Sequence, residues 1–173
     1  MDQLLLEMPE ISRFDAGAVV FHKAMTDFNS FLEKTVHIFE NKAAERDIAI
    51  TVSGAFSTVY IDSDKMERVM NNFIGNAVKY SHSHSEIILL GECLAHKQRI
   101  SITNECESFS EEVLSKIWDR FYKGDVSHCR EAEGTGLGLA ITKSILEGHG
   151  CSFGVNNTEN GVCFYFEMDY SES

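Results

Sequence analysis

The chain has 173 residues and a formal net charge of −12, enough for one well-buried domain and too little for two. So acidic a surface disfavours nucleic acid and anionic lipid as partners. No apolar run reaches the roughly 18–20 residues a membrane span needs, and "MDQLLLEMPE" lacks the basic start of a signal peptide, so any anchor is expected outside these residues.

Residues 1–15, "MDQLLLEMPEISRFD", place Leu4, Leu5, Met8 and Ile11 on one helical face, but Pro9 interrupts them, as in a helix end or linker. "GAVVFHKAM" then reads as a short strand, because Val19, Val20 and Phe21 are β-branched or aromatic. Asp27 can cap a helix to about Ala44, with Phe28, Phe31, Leu32, Val36 and Phe39 at spacings of three and four. "DIAITVS" and "STVYID" read as strands separated at Gly54. "DSDKMERVMNNFIGNAVKYS" is a helix capped by Asp62 or Ser63, and "SEIILLGECL" with "QRISITNE" makes a hairpin around Ala95–Lys97.

"SEEVLSKIWDRFY" is a short helix starting at Ser110 and Glu111. The polar stretch "KGDVSHCREAEGTG" that follows is read as a mobile loop. A helix follows from "GTGLGLAITKSILEGHG", and then strands "CSFGVNN" and "GVCFYFEM" joined at "TENG". About three longer helices and six strands predict an α/β (α+β) two-layer sandwich, with helices covering one face of a mixed sheet. The five cysteines (Cys93, Cys106, Cys129, Cys151 and Cys163) form no CxxC pair, which predicts a reduced, cytoplasmic chain without a disulfide framework or zinc knuckle. The pair His128-Cys129 is read as surface loop.

Two stretches carry chemistry. On the helix from 63 to 81, Met66, Met70, Phe73, Ile74 and Ala77 form a core stripe. Beside it Arg68, Asn72, Asn76 and Lys79 share an arc, each three or four residues from the next. A solvated polar flank is the ordinary meaning of such an arc. The sharper one is an oxygen-donor site, since an Asn carbonyl suits Mg²⁺ that takes its other ligands from water and phosphate, and Lys79 could meet phosphate charge.

The second stretch is Gly134-Thr135-Gly136-Leu137-Gly138. It is neither GxxxxGK[ST] nor GxGxxG. Glycines at a helix start let backbone amides approach an anion. Alone, GxGxG also fits a plain helix entry; with the Asn-bearing helix it points to a magnesium–nucleotide site.

Together these residues resemble a known series. "DSDKMERVMNNFIGNAVKYS" resembles the N box of sensor histidine kinases of two-component systems, "IWDRFYKGD" their F box, "GTGLGLAITKSILEGHG" their G2 box, and "NGVCFYFEM" their last strand. Order and spacing agree from about residue 18 to 170. The resemblance implies the Bergerat (GHKL) ATP-binding fold, with ATP and Mg²⁺ held between the N-box helix and a lid at about 109–134.

Under this resemblance Asn76 ligates Mg²⁺ and Asn72 supports the same cluster. Lys79 and Tyr80 flank phosphate and ribose. The segment Gly134, Thr135, Gly136, Leu137, Gly138 and Leu139 receives phosphate, chiefly through the amides at Gly136 and Gly138. Lys123 is aimed at the γ-phosphate and, with Asn72, is placed in the catalytic set. Trp118 and Phe121 anchor the lid's hinge in the core, with Phe121 also bordering the nucleotide. Leu137, Ala140, Ile141 and Ile145 also read as core.

Relatives carry DxGxG as an adenine-binding G1 box, where this chain has Asn104, Cys106 and Ser108, followed by Phe109. An amide oxygen accepts without charge, so adenine affinity is expected to be lower by about 1 kcal/mol, roughly fivefold. Cys106 and Ser108 also lack glycine's freedom at positive φ.

The family's phosphoacceptor histidine lies upstream, in a dimerisation helix pair. His22 in a strand, His82 and His84 after the N-box helix, and His149 at a helix end do not stand in such a context. Residues 1–17 are therefore expected to be the end of an upstream dimerisation helix, and residues 18–173 a catalytic ATP-binding domain. The expected partners are the chain's own phosphoacceptor domain and a response regulator, in a full-length membrane-anchored homodimer whose isolated domain is monomeric. Two alternatives stand beside the kinase: a non-catalytic nucleotide-sensing scaffold with a degenerate G1 box, and a GHKL ATPase like gyrase B. Such ATPases need a glutamate base where this chain has Asn72, and a carboxamide cannot act as one.

Overall fold

A computed structural model describes residues 2–123 and 134–170. The described residues form five helices and seven strands: α1 (Asp2–Asp15), β1 (Ala24–Asp27), α2 (Phe28–Ala44), β2 (Ala49–Gly54), β3 (Thr58–Ile61), α3 (Ser63–Tyr80), β4 (Glu86–Cys93), β5 (Lys97–Glu105), α4 (Glu111–Lys116), α5 (Gly138–His149), β6 (Ser152–Asn157) and β7 (Gly161–Asp169). Residues 124–133 of the expected lid, His128 and Cys129 among them, lie outside the described residues.

The main sheet runs β2-β4-β5-β7-β6, with β2 parallel to β4 and the other pairs antiparallel. β1 and β3 make a separate antiparallel ribbon, linked by the Val59–Tyr170 bridge to the residue that follows β7. The mixed sheet with helices on one face is as expected. Alternate residues of the central strands (Ile87 and Leu89; Ile100 and Ile102; Val162, Phe164, Phe166 and Met168) are buried beneath the helices. Against them α3 sets Met66, Met70, Phe73, Ile74 and Ala77, the predicted stripe, widened by Val69 and Val78.

Helix starts follow local chemistry. The Asp27, Asp62 and Ser110 side chains accept from the amides of Asn29, Lys65 and Val113, capping α2, α3 and α4. Burial would raise the Asp62 carboxyl pKa, yet amide donors from His22 and Lys65 and the Lys65 charge hold it below the usual carboxylate value.

Four sequence expectations are corrected. The strand at Val19–Phe21 does not form, and the ribbon strand begins only at Ala24. The His22 amide is taken by Asp62 Oδ2 at 2.9 Å, and the Phe21 ring packs edge-on against His149 at 4.9 Å, so this backbone is committed elsewhere. His22 therefore precedes a strand rather than lying in one. Pro9 does not end the first helix: α1 runs through it to Asp15. The carbonyl left without its amide belongs to Leu5, which is 67% exposed and so open to water.

The helix after Ser110 stops at Lys116, well short of Tyr122. Trp118 packs on Phe153, Phe164 and Phe73 as a hinge anchor should. Phe121 does not: it is 57% exposed, with φ of 59°, and contributes backbone rather than a buried ring. No helix among the described residues is long and apolar enough to cross a membrane.

Candidate nucleotide site

A cavity of about 800 Å³ opens between α3, the residues after β5, and the start of α5, a volume suited to a nucleotide-sized ligand. α3 contributes Asn72, Asn76, Lys79 and Tyr80. The segment after β5 contributes Cys106 and Phe109, and the approach to α5 contributes Gly134, Thr135, Gly136, Gly138 and Leu139, with Lys123 on the rim. All of these were singled out in the sequence, from stretches up to 67 residues apart.

The contact between α3 and α5 explains two of the three glycines. A Cβ on Gly138 would lie 2.6 Å from Asn72 Oδ1, closer than real contacts allow. Asn72 Nδ2 donates to Thr142 Oγ1 at 2.9 Å, which fixes which way the carboxamide faces. Gly136 has φ of 73°, and a Cβ there would sit 2.9 Å from Phe121 Cα. The Phe121 amide donates to Gly136 O at 2.9 Å, locking this turn. Gly134 has nothing within 4 Å of a built Cβ, so neither space nor φ demands glycine there.

Helix α5 begins at Gly138, and Leu137 at its N-cap gives no side-chain hydrogen bond to the first amides. The first N–H groups of a helix need partners outside it, and the positive end of the dipole favours an anion. The cavity also reverses the protein's overall charge: its described lining holds Arg46, Arg68, Lys79 and Lys123 against Glu7 and Glu107.

Four sequence-predicted residues do not line the cavity. Leu137 is fully buried, consistent with its core reading. Phe121 and Ser108 are exposed. Asn104 is 4% exposed at the end of β5, and its Nδ2 has no hydrogen-bond partner among the described residues. Two residues on stands Cys106, whose thiol is pushed up by burial.

Sequence reading missed other parts. Arg46, just past the end of α2, donates from Nη1 to the carbonyls of Val78 and Lys79 (2.8 Å to the latter) and from Nη2 to Ser81 O at 2.7 Å. It therefore closes the C-terminus of the helix that carries Asn72, Asn76 and Lys79. No local pattern marks it, because its acceptors are main-chain atoms more than thirty residues away. Asn71 also lines the cavity, with a buried Oδ1 that has no partner among the described residues; the doublet of poor helix formers at 71–72 was the available signal. Asn157 bonds both the amide and carbonyl of Phe109 at 2.8 Å, holding that ring at the wall.

The family model described as histidine kinase-, DNA gyrase B-, and HSP90-like ATPase matches residues 61–172, which contain nearly the whole cavity. The chain belongs to this ATPase family. Within it, the chain is similar to the sensor protein kinase WalK of Staphylococcus haemolyticus, 32% identical over 161 residues, covering 92% of this chain and 26% of WalK. It is also similar in structure to the catalytic domain of histidine kinase ThkA, with TM-score 0.77 and 27% identity over 86% of this chain and 95% of that one. Full-length ShkA, solved in complex with AMPPNP, shares the fold at TM-score 0.83 and 23% identity, covering 99% of this chain and 37% of that one. The chain thus spans about a quarter of WalK and nearly all of the ThkA catalytic domain.

Among the described residues no three His, Cys, Asp or Glu side chains gather to hold a metal ion. The cavity's carboxamide oxygens on α3 are hard, neutral donors, and they fit a Mg²⁺ that arrives with phosphate ligands and keeps its waters.

Proposed function

We propose that this chain is the ATP-binding catalytic domain of a sensor histidine kinase, transferring the γ-phosphate of ATP to a histidine on an upstream dimerisation domain for relay to a response-regulator aspartate. One observation carries the reading: the Asn72 carboxamide meets the start of α5 at Gly138 in a basic cavity on an acidic protein. Uncapped amides and cations are what a triphosphate needs.

In this reading residues 1–17 are the end of the dimerisation helix, and the full-length protein is a membrane-anchored homodimer. Asn76 would hold Mg²⁺, with Asn72 beside it, and the metal would supply charge neutralisation at the phosphates. The α5 amides and Lys79 orient the phosphate chain, Tyr80 and Phe109 border the nucleoside, and Lys123 meets charge developing on the γ-phosphate. Phosphoryl transfer asks the protein mainly for positioning and electrostatics. Asn72 spends its amide donor on Thr142 and has no carboxylate to activate water, which favours transfer to a protein acceptor over hydrolysis.

The test supplies the separately produced dimerisation domain and labelled ATP. Acid-labile label on that domain, lost with Asn76→Ala, is expected. Nucleotide binding without labelling would favour the scaffold, and rapid steady hydrolysis by the chain alone would favour the ATPase.

A further inference from the structure

Helix α1 docks on the core through Ile11 and Phe14 and leaves the rest of its apolar side chains outside. Its outer side leaves Leu5, Leu6 and Met8 67%, 74% and 51% exposed. Its inner side seats Ile11 in the core and presents three carboxylates: Glu7 accepts from Thr135 Oγ1, Glu10 pairs with Arg68, and Asp15 pairs with Arg120. Glu7 is only 6% exposed, and Glu7, Thr135 and Arg68 all line the nucleotide cavity.

We propose that the rim of this cavity is a docking surface for an acidic helix, that α1 occupies it in cis, and that α1 and a nucleoside triphosphate compete for it. The inference rests on the nucleotide reading above. Thr135 has one hydroxyl proton. Its oxygen already accepts the Leu137 amide at 3.2 Å, so the proton serves Glu7. A phosphate oxygen claiming that proton displaces the carboxylate. Arg68 faces the same choice between Glu10 and phosphate, and the Glu7 charge opposes further negative charge in the same enclosed space.

Ile11 and Phe14 hold the later turns of α1 on the core, so the part that nucleotide loosens is the stretch carrying Glu7 and Glu10. Binding in such a system is reciprocal: nucleotide weakens α1 docking by the factor by which docking weakens nucleotide. The site would thereby report its occupancy to whatever segment continues from α1.

The experiment titrates Mg-AMPPNP calorimetrically into the wild-type chain, Glu7→Gln, and the remote charge control Glu33→Gln. It also follows hydrogen exchange of residues 5–13 with and without saturating Mg-AMPPNP. Glu7→Gln is expected to bind about tenfold more tightly, within the usual range of such couplings, and Glu33→Gln to bind as wild type. Nucleotide is expected to speed exchange across residues 5–13 of the wild type. Equal affinity of wild type and Glu7→Gln, or exchange slowed by nucleotide, overturns the competition while leaving the nucleotide reading intact. Absence of binding in all three chains overturns both.

Discussion

Gly138→Ala isolates the meeting of α3 and α5. The added Cβ would stand 2.6 Å from Asn72 Oδ1 and 3.2 Å from its Cγ, so the carboxamide must move. Moving it breaks the 2.9 Å bond from Asn72 Nδ2 to Thr142 Oγ1, a net loss of about 0.5–1.5 kcal/mol. Alanine's helix preference over glycine returns up to about 0.8–1.0 kcal/mol. Stability should therefore change by no more than about 1 kcal/mol, in either direction. Nucleotide affinity should suffer more. A hydrogen bond that Asn72 Oδ1 would accept from water on the phosphate-bound metal, a charged group, is worth about 1.5–3 kcal/mol, so its loss weakens Mg-AMPPNP binding about 10- to 150-fold. Urea unfolding and calorimetric titration measure the two effects, with Gly134→Ala as the control that meets no neighbouring atom. Wild-type affinity in Gly138→Ala, or equal losses in both variants, would refute the reasoning.

Three further outcomes are expected. Burial lowers the His149 pKa, partly countered by its bond to Ile145 O, while its Nε2 accepts the Asp62 amide at 3.0 Å. With the folded pKa below the unfolded one, His149's contribution is whole above the unfolded value of about 6.5 and is lost as pH falls from there through the folded pKa; thermal midpoints between pH 7.5 and 5 should drop more for wild type than for His149→Gln. Arg46→Ala should destabilise the chain by about 1–3 kcal/mol in urea unfolding, by uncapping three carbonyls of the α3 terminus, and Arg46→Lys should recover part of that. Asn104→Asp, which puts a carboxylate on a buried residue that does not reach the cavity surface, should lower stability in urea unfolding by about 1–3 kcal/mol, the cost of an unsatisfied buried polar group, and leave Mg-AMPPNP affinity at the wild-type value in calorimetry.

The regular parts of the fold were legible because their signals are local. Asp27, Asp62 and Ser110 announce their helices, and the period of α3 sorted its core stripe from its Asn-bearing flank. The first 23 residues misled because their fate is decided at a distance. Phe21 is claimed by the end of α5 and the His22 amide by Asp62, so strand propensity there has nothing to pair with.

The site shows the same division. Asn72, Asn76 and the glycine run stood out as residue types that a helix and a helix start do not favour. Arg46 and Glu7 act through partners that only the folded chain brings near: main-chain carbonyls for Arg46, and the Thr135 hydroxyl for Glu7. Asn104 and Ser108 were carried over from a glycine-bearing pattern that this chain lacks, and neither reaches the cavity surface. Phe121 serves by its backbone against Gly136 rather than by its ring.

Calorimetric titration of Mg-AMPPNP into wild type and Asn76→Ala, each repeated with excess chelator, tests the central claim most directly. The account predicts binding by wild type that weakens when magnesium is withdrawn and is largely lost in Asn76→Ala. Nucleotide binding indifferent to both the metal and Asn76, or no binding by the wild-type chain, would contradict it.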